Sequence, residues 1–164
     1  MNGVLEMVGR LRILPEESAW MPEAAPAEVT VALDGADGCI ADARAQTSKF
    51  LTRVQGEYGL PVSARAMDLG QLVVSELVTN ALKYAPGPVL LQLRITDAML
   101  EIEVWDTGPT LPLARAADAG RVGQHGLEIV MAVVQGIEVR RESVGKRITA
   151  RLALFDDPLQ GLSG

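Results

Sequence analysis

Residues Ser63 to Ala85 read SARAMDLGQLVVSELVTNALKYA, followed by Pro86, Gly87 and Pro88. Ser63 can accept a hydrogen bond from an open N–H of a first helical turn, and the Pro-Gly-Pro run cannot continue a helix. The spacing therefore predicts one long helix between them. At about 100° per residue, Met67, Val74, Val78, Ala81 and Ala85 fall on one narrow stripe flanked by Leu77 and Leu82, an ordinary core face. The opposite side is not simply polar. It sets Glu76, Asn80 and Lys83, at spacings of four and three residues, among Leu69, Leu72 and Val73. A carboxylate, an amide and an amine along one edge, with apolar neighbours, predict a partly buried cleft rather than a solvated face.

Working outward, Val29 to Leu33 reads as a short strand closed by the Asp34-Gly35 turn signal. Ile40, Ala43, Thr47, Phe50, Leu51 and Val54 then recur at helical spacing, and Gly56 to Pro61 is expected to end that helix. After the long helix, Val89 to Ile95 and Leu100 to Trp105 are strand-like, joined as a hairpin through Thr96 to Met99. Leu100, Ile102 and Val104 alternate with Glu101, Glu103 and Trp105, so one face of that strand is buried. Asp106 to His125 is rich in Gly, Pro, Ala and Arg and longer than an ordinary connection, which predicts a lid. Gly126 is expected to open a helix with Leu127, Ile129, Val130 and Val133 apolar. Ile137 to Arg141 and Arg147 to Leu154 close the chain as a hairpin around Gly145.

This order predicts an α+β sandwich, a mixed or antiparallel sheet covered on one face by helices. Residues 1–27, interrupted by Pro15, Pro22 and Pro26, read as a mobile N-terminal extension, 28–155 as the folded domain and 156–164 as a C-terminal tail. A chain of 164 residues, 48% apolar, is long enough to bury one core without staples. No apolar run approaches the roughly 18 residues of a membrane span, so a cytoplasmic protein is expected. The single cysteine excludes an intramolecular disulfide, and with a single histidine it leaves no Cys/His zinc constellation. A net charge of -6 repels phosphate backbones and aromatics make up only 4%, which argues against nucleic acid and for a protein or small-molecule partner.

Three separated pieces share one chemistry. Glu76 and Asn80 stand one helical turn apart; an amide oxygen is a hard ligand suited to Mg²⁺, and a carboxylate beside it could orient or deprotonate a hydroxyl. Asp106-Thr107-Gly108-Pro109 directly follows a strand, so its carboxylate sits at a sheet edge while Gly108 leaves room for a flat ring. Gly123-Gln124-His125-Gly126 precedes a helix, where free N–H groups and the positive end of the dipole favour phosphate.

Taken together, Ser75-Glu76-Leu77-Val78-Thr79-Asn80-Ala81, Asp106-Thr107-Gly108-Pro109 and Gly123-Gln124-His125-Gly126-Leu127 resemble the N, G1 and G2 boxes of the gyrase, histidine-kinase and MutL (GHKL) ATPase superfamily, in matching order and spacing. Within it, the wording of the first box and the closing Gly145-Lys146 hairpin are most similar to the anti-sigma-factor serine kinases, over about Val29 to Leu154. The resemblance implies a Bergerat-type two-layer α/β sandwich with a mostly antiparallel sheet, and ATP and Mg²⁺ as cofactors. It implies Asn80 as the metal ligand, Glu76 as the catalytic base, Asp106 as acceptor for the adenine amino group and Gly108 as the residue that lets the ring pack. Gly123, His125, Gly126 and Leu127 would surround the phosphates, and Lys83, Arg115 or Arg121 could reach the transferred group.

The chain also departs from the pattern. His125 stands where the branch usually has Arg or another residue, and is assigned no acid–base role. Arg147 replaces a small hydroxyl residue and, if it points inward, would crowd the adenine side. The implied partners are a serine-bearing anti-anti-sigma protein and a sigma factor, with a homodimer as the expected assembly. Two other readings stay open: a non-catalytic nucleotide-gated interaction module, and a histidine-kinase catalytic domain, for which the chain offers no second histidine to accept phosphate.

Overall fold

The computed structural model describes residues 27–107 and 122–155, and in the second stretch the side chains from Gly126 onward. The expected N-terminal extension up to residue 26, Gly108, Arg115 and Arg121 of the expected lid, and the tail from residue 156 lie outside these residues.

The elements are β1 (Glu28–Leu33), α1 (Cys39–Tyr58), α2 (Ala64–Tyr84), β2 (Val89–Thr96), β3 (Met99–Asp106), α3 (Val122–Val133), β4 (Gly136–Arg141) and β5 (Lys146–Ala153). The strands form one sheet in the order β1-β2-β3-β5-β4, with every described pairing antiparallel rather than mixed. Helix α2 packs on β2, β3 and β5 and is flanked by α1 and α3, giving one helical layer on one sheet face.

The long helix forms as its sequence dictates. The Ser63 hydroxyl accepts from the Ala66 N–H at 2.9 Å, and the helix stops at Tyr84, two residues before Pro86. Its apolar stripe buries Val74, Leu77, Val78 and Ala81 against the inner sheet residues Leu91, Leu93, Leu100, Ile102, Ile148, Ala150 and Leu152. At about 25 cal/mol per Å² of apolar surface removed from water, this shared interior is the main source of stability.

The element boundaries follow the sequence expectation except at the start of the third helix. Helix α1 runs to Tyr58 and is ended within the expected Gly56 to Pro61 stretch by Gly59 at φ 68, the left-handed position that favours glycine. An internal glycine costs only about 1 kcal/mol, less than the burial of Phe50, Leu51 and Val54 on the same helix returns. Helix α3 begins at Val122, so Gly123 to Gly126 lie inside its opening turns and not before it. The β2–β3 hairpin is tight, with Asp97 and Ala98 at positive φ, the signature of a primed turn.

The outer sheet face carries a cross-strand ion ladder. Glu101 accepts from Arg94 Nη2 at 2.8 Å and Arg151 Nε at 3.0 Å, and Glu103 accepts from Arg147 Nη1 at 2.7 Å. No helix among the described residues is long and apolar enough to cross a membrane.

Partial burial by itself would raise the Glu101 carboxyl, but the hydrogen bonds from Arg94 and Arg151 outweigh it and hold the group below its ordinary 4.5. A carboxyl whose pKa is lowered by folding contributes stability above its unfolded value and loses it as pH falls through the folded one. Glu101→Gln should therefore lower the melting temperature at about pH 7, and the gap to wild type should close as pH drops below about 4.5. Thermal scans across that range check it; a gap that persists unchanged to about pH 3 contradicts the role of the ladder.

Candidate functional site

Helix α2 supplies the first part of the site. Asn80 is 2% exposed, and among the described residues neither its Oδ1 nor its Nδ2 has a hydrogen-bond partner. Leaving such a group unmade costs about 1–3 kcal/mol, so a buried amide with both ends open calls for an outside partner. One turn earlier, Glu76 is half-buried and reaches α3: a Cβ built on Gly126 would come within 2.7 Å of Glu76 Oε1. A side chain at 126 would make the Glu76 carboxylate shift from this position. Residues fifty apart in the chain, Glu76 and Gly126, thus meet beside Asn80.

The other expected residues divide. Lys83, three residues beyond Asn80, turns outward and is exposed, so the edge predicted for Glu76, Asn80 and Lys83 sinks into the protein only over its first two members. Leu127 is half-buried and packs on the core. Gly123 and His125 fall in the opening turns of α3, where N–H groups lack intrahelical acceptors, and their side chains lie outside the described residues.

Asp106 ends β3 and is 1% exposed. Its partner was missed by sequence reasoning: Lys146, also 1% exposed, places Nζ 2.5 Å from Asp106 Oδ2. The signal was available in the period of β5, because Lys146 shares a face with Ile148, Ala150 and Leu152, all buried. The same alternation corrects the expectation for Arg147. It points to the outer face, with Nη1 at 2.7 Å from Glu103, Nε at 3.3 Å from Glu142 and its guanidinium 5.1 Å from the centre of the Trp105 ring, so it does not crowd the Asp106 side. Gly145, at φ 78, lies so close to β3 that a Cβ there would collide with the Asp106 carbonyl oxygen.

An open polar groove of about 310 Å³ crosses the outer face between Arg94, Glu101, Glu103, Arg147 and Arg151. These side chains are engaged with one another in ion pairs, and the groove is on the opposite face from Asn80 and Asp106. Among the described residues no group of three or more His, Cys, Asp or Glu could hold a metal. A cation bound here would rest on the Asn80 oxygen and on oxygens of the ligand itself, the usual habit of Mg²⁺ with phosphates.

An antiparallel sheet under three helices, with an open asparagine amide on the central helix, defines the ATP-binding architecture of GHKL-type domains. The family model described as histidine kinase-like ATPase domain matches residues 40–152, and the chain belongs to that family. Among solved structures it is similar to the histidine kinase domain from Erythrobacter litoralis EL346 blue-light activated histidine kinase, at 21% identity and a TM-score of 0.43. That match covers 68% of this chain, which spans 61% of the other. No curated protein sequence gives a significant match.

Removing one member of a buried ion pair leaves an uncompensated charge and costs about 3–5 kcal/mol, whereas removing both can be close to neutral. Lys146→Met should lose stability of that order in urea unfolding, and the double variant Asp106→Asn/Lys146→Met should recover most of it. A single variant as stable as wild type would show that the pair is structurally idle.

Proposed function

We propose that this protein is a Mg-ATP-dependent serine/threonine protein kinase of the anti-sigma-factor type, which phosphorylates a serine of an anti-anti-sigma (STAS-type) partner and/or sequesters a sigma factor. The observation that carries the reading is the buried Asn80 amide, open at both ends and one turn from Glu76, in a chain of an ATPase family. Bound Mg-ATP would supply the phosphoryl group. The chain's own groups then divide the work: Asn80 holds the metal, Asp106 accepts from the base, and Glu76 takes the proton of the attacking hydroxyl. The opening turn of α3 offers N–H groups to phosphate, Leu127 closes behind it, and Lys83 stands at the rim. A cytoplasmic homodimer is the setting that belongs with this reading.

The runner-up is a nucleotide-gated interaction module without turnover. It is favoured by one contact: the Glu76 carboxylate lies against Gly126, where it can fix α3 instead of receiving a proton.

Calorimetry with Mg-ATP tests the site. Asn80→Ala removes polar atoms that have no partner in the protein, so the variant should melt close to wild type while losing at least about tenfold in affinity, or about 1.4 kcal/mol. An Asn80→Ala protein that binds like wild type contradicts the site. In a phosphoryl-transfer assay on a STAS-type partner, Glu76→Gln should bind Mg-ATP and fail to transfer; unchanged transfer removes Glu76 as the base, and no transfer by wild type favours the module.

A further inference from the structure

The carboxylate assigned to the base is not alone. Asp106 and Lys146 stand directly opposite each other in the β3–β5 register, both side chains on the helix-covered face and both sealed from solvent. A lysine ammonium carries three donors and no acceptor. Among the described residues its one acceptor is Asp106 Oδ2 at 2.5 Å. A buried cation with N–H groups to give therefore sits within one hydrogen-bond length of the oxygen that would receive the base.

This changes what the pocket can read. A carboxylate by itself accepts from a 6-amino purine and repels a 6-oxo purine, because two acceptors would face each other. A donor-only ammonium next to an acceptor-only carboxylate answers either edge. With a 6-amino purine, the amino group donates to Asp106 and ring N1 accepts from Lys146. With a 6-oxo purine, O6 accepts from Lys146 and the N1–H donates to Asp106. We infer that Lys146 is a base-reading residue, and that with Asp106 it lets this site take 6-oxopurine nucleotides as well as adenine nucleotides. The inference rests on the nucleotide-site reading above and concerns only how the base is chosen.

Inosine triphosphate is the direct probe, since it differs from ATP only in this edge. Calorimetry should find Mg-ITP binding to wild type within about tenfold of Mg-ATP, a gap of no more than about 1.4 kcal/mol. Lys146→Met should raise the preference for ATP at least about tenfold, the scale of one lost base contact. Lys146→Gln, which keeps an N–H at similar reach without the charge, should retain more ITP binding than Lys146→Met and serves if the methionine variant does not fold. A wild type that prefers ATP by more than about a hundredfold, or a preference unmoved in the folded variants, overturns the role of Lys146 while leaving the ATP site standing. Binding of neither nucleotide by folded wild type overturns both together.

Discussion

A carboxylate closed off from water has to be answered by charge or by hydrogen bonds, and at Asp106 the answer is Lys146. That single requirement organises the right half of the sheet. Lys146 can meet Asp106 only if β5 pairs with β3 in the register that sets the two residues opposite each other. The register in turn forces the preceding residue, Gly145, onto the β3 backbone at a positive φ, where no side chain fits. With β5 fixed beside β3, its inward residues Ile148, Ala150 and Leu152 complete the floor on which α2 lies. The outward residues close the ion ladder on the other face, Arg151 directly opposite Glu101 and Arg147 reaching diagonally from its place opposite Trp105 to Glu103.

Two buried polar side chains then stand in deliberate contrast. Asp106 is matched from within the fold, whereas Asn80 is matched by nothing among the described residues. The first ties the end of the central strand β3 to β5; the second costs stability and is tolerated. Helix α2 carries that cost, because its apolar stripe anchors it to the sheet so firmly that one unsatisfied amide on its flank does not dislodge it. Glu76 occupies the same flank, and its carboxylate lies against Gly126 of α3. Stability and function are thus divided between the faces of one helix.

Most of the fold was legible in the sequence because local signals agreed with the global one. Ser63 and Pro86 bounded α2, the alternation of Leu100, Ile102 and Val104 gave β3 its buried face, and the turn around Gly145 paired the last two strands. Glu76 and Asn80 were legible as a pair because polar residues at a spacing of four among apolar neighbours are improbable on a solvated face. The failures were of two physical kinds. Gly126 was read as the start of a helix, but α3 begins a turn earlier, at Val122. Lys146 was given no role and Arg147 was considered for the inner face, because in a strand a shift of one residue flips every side chain to the other face, and which face each takes is fixed only by the register. How Gly108, Arg115 and Arg121 are placed lies outside the described residues.

The central claim is that the open Asn80 amide faces the nucleotide and its metal. The most direct measurement is the NMR signal of the Asn80 side-chain NH₂, assigned by its loss in Asn80→Ala, followed through a titration with Mg-ATP. If the claim holds, this pair of resonances moves in a saturable way, with a midpoint that matches the calorimetric affinity, and the movement weakens when Mg²⁺ is chelated. Resonances that stay in place while the protein saturates with Mg-ATP would put the nucleotide elsewhere and leave Asn80 as an unexplained flaw in the core.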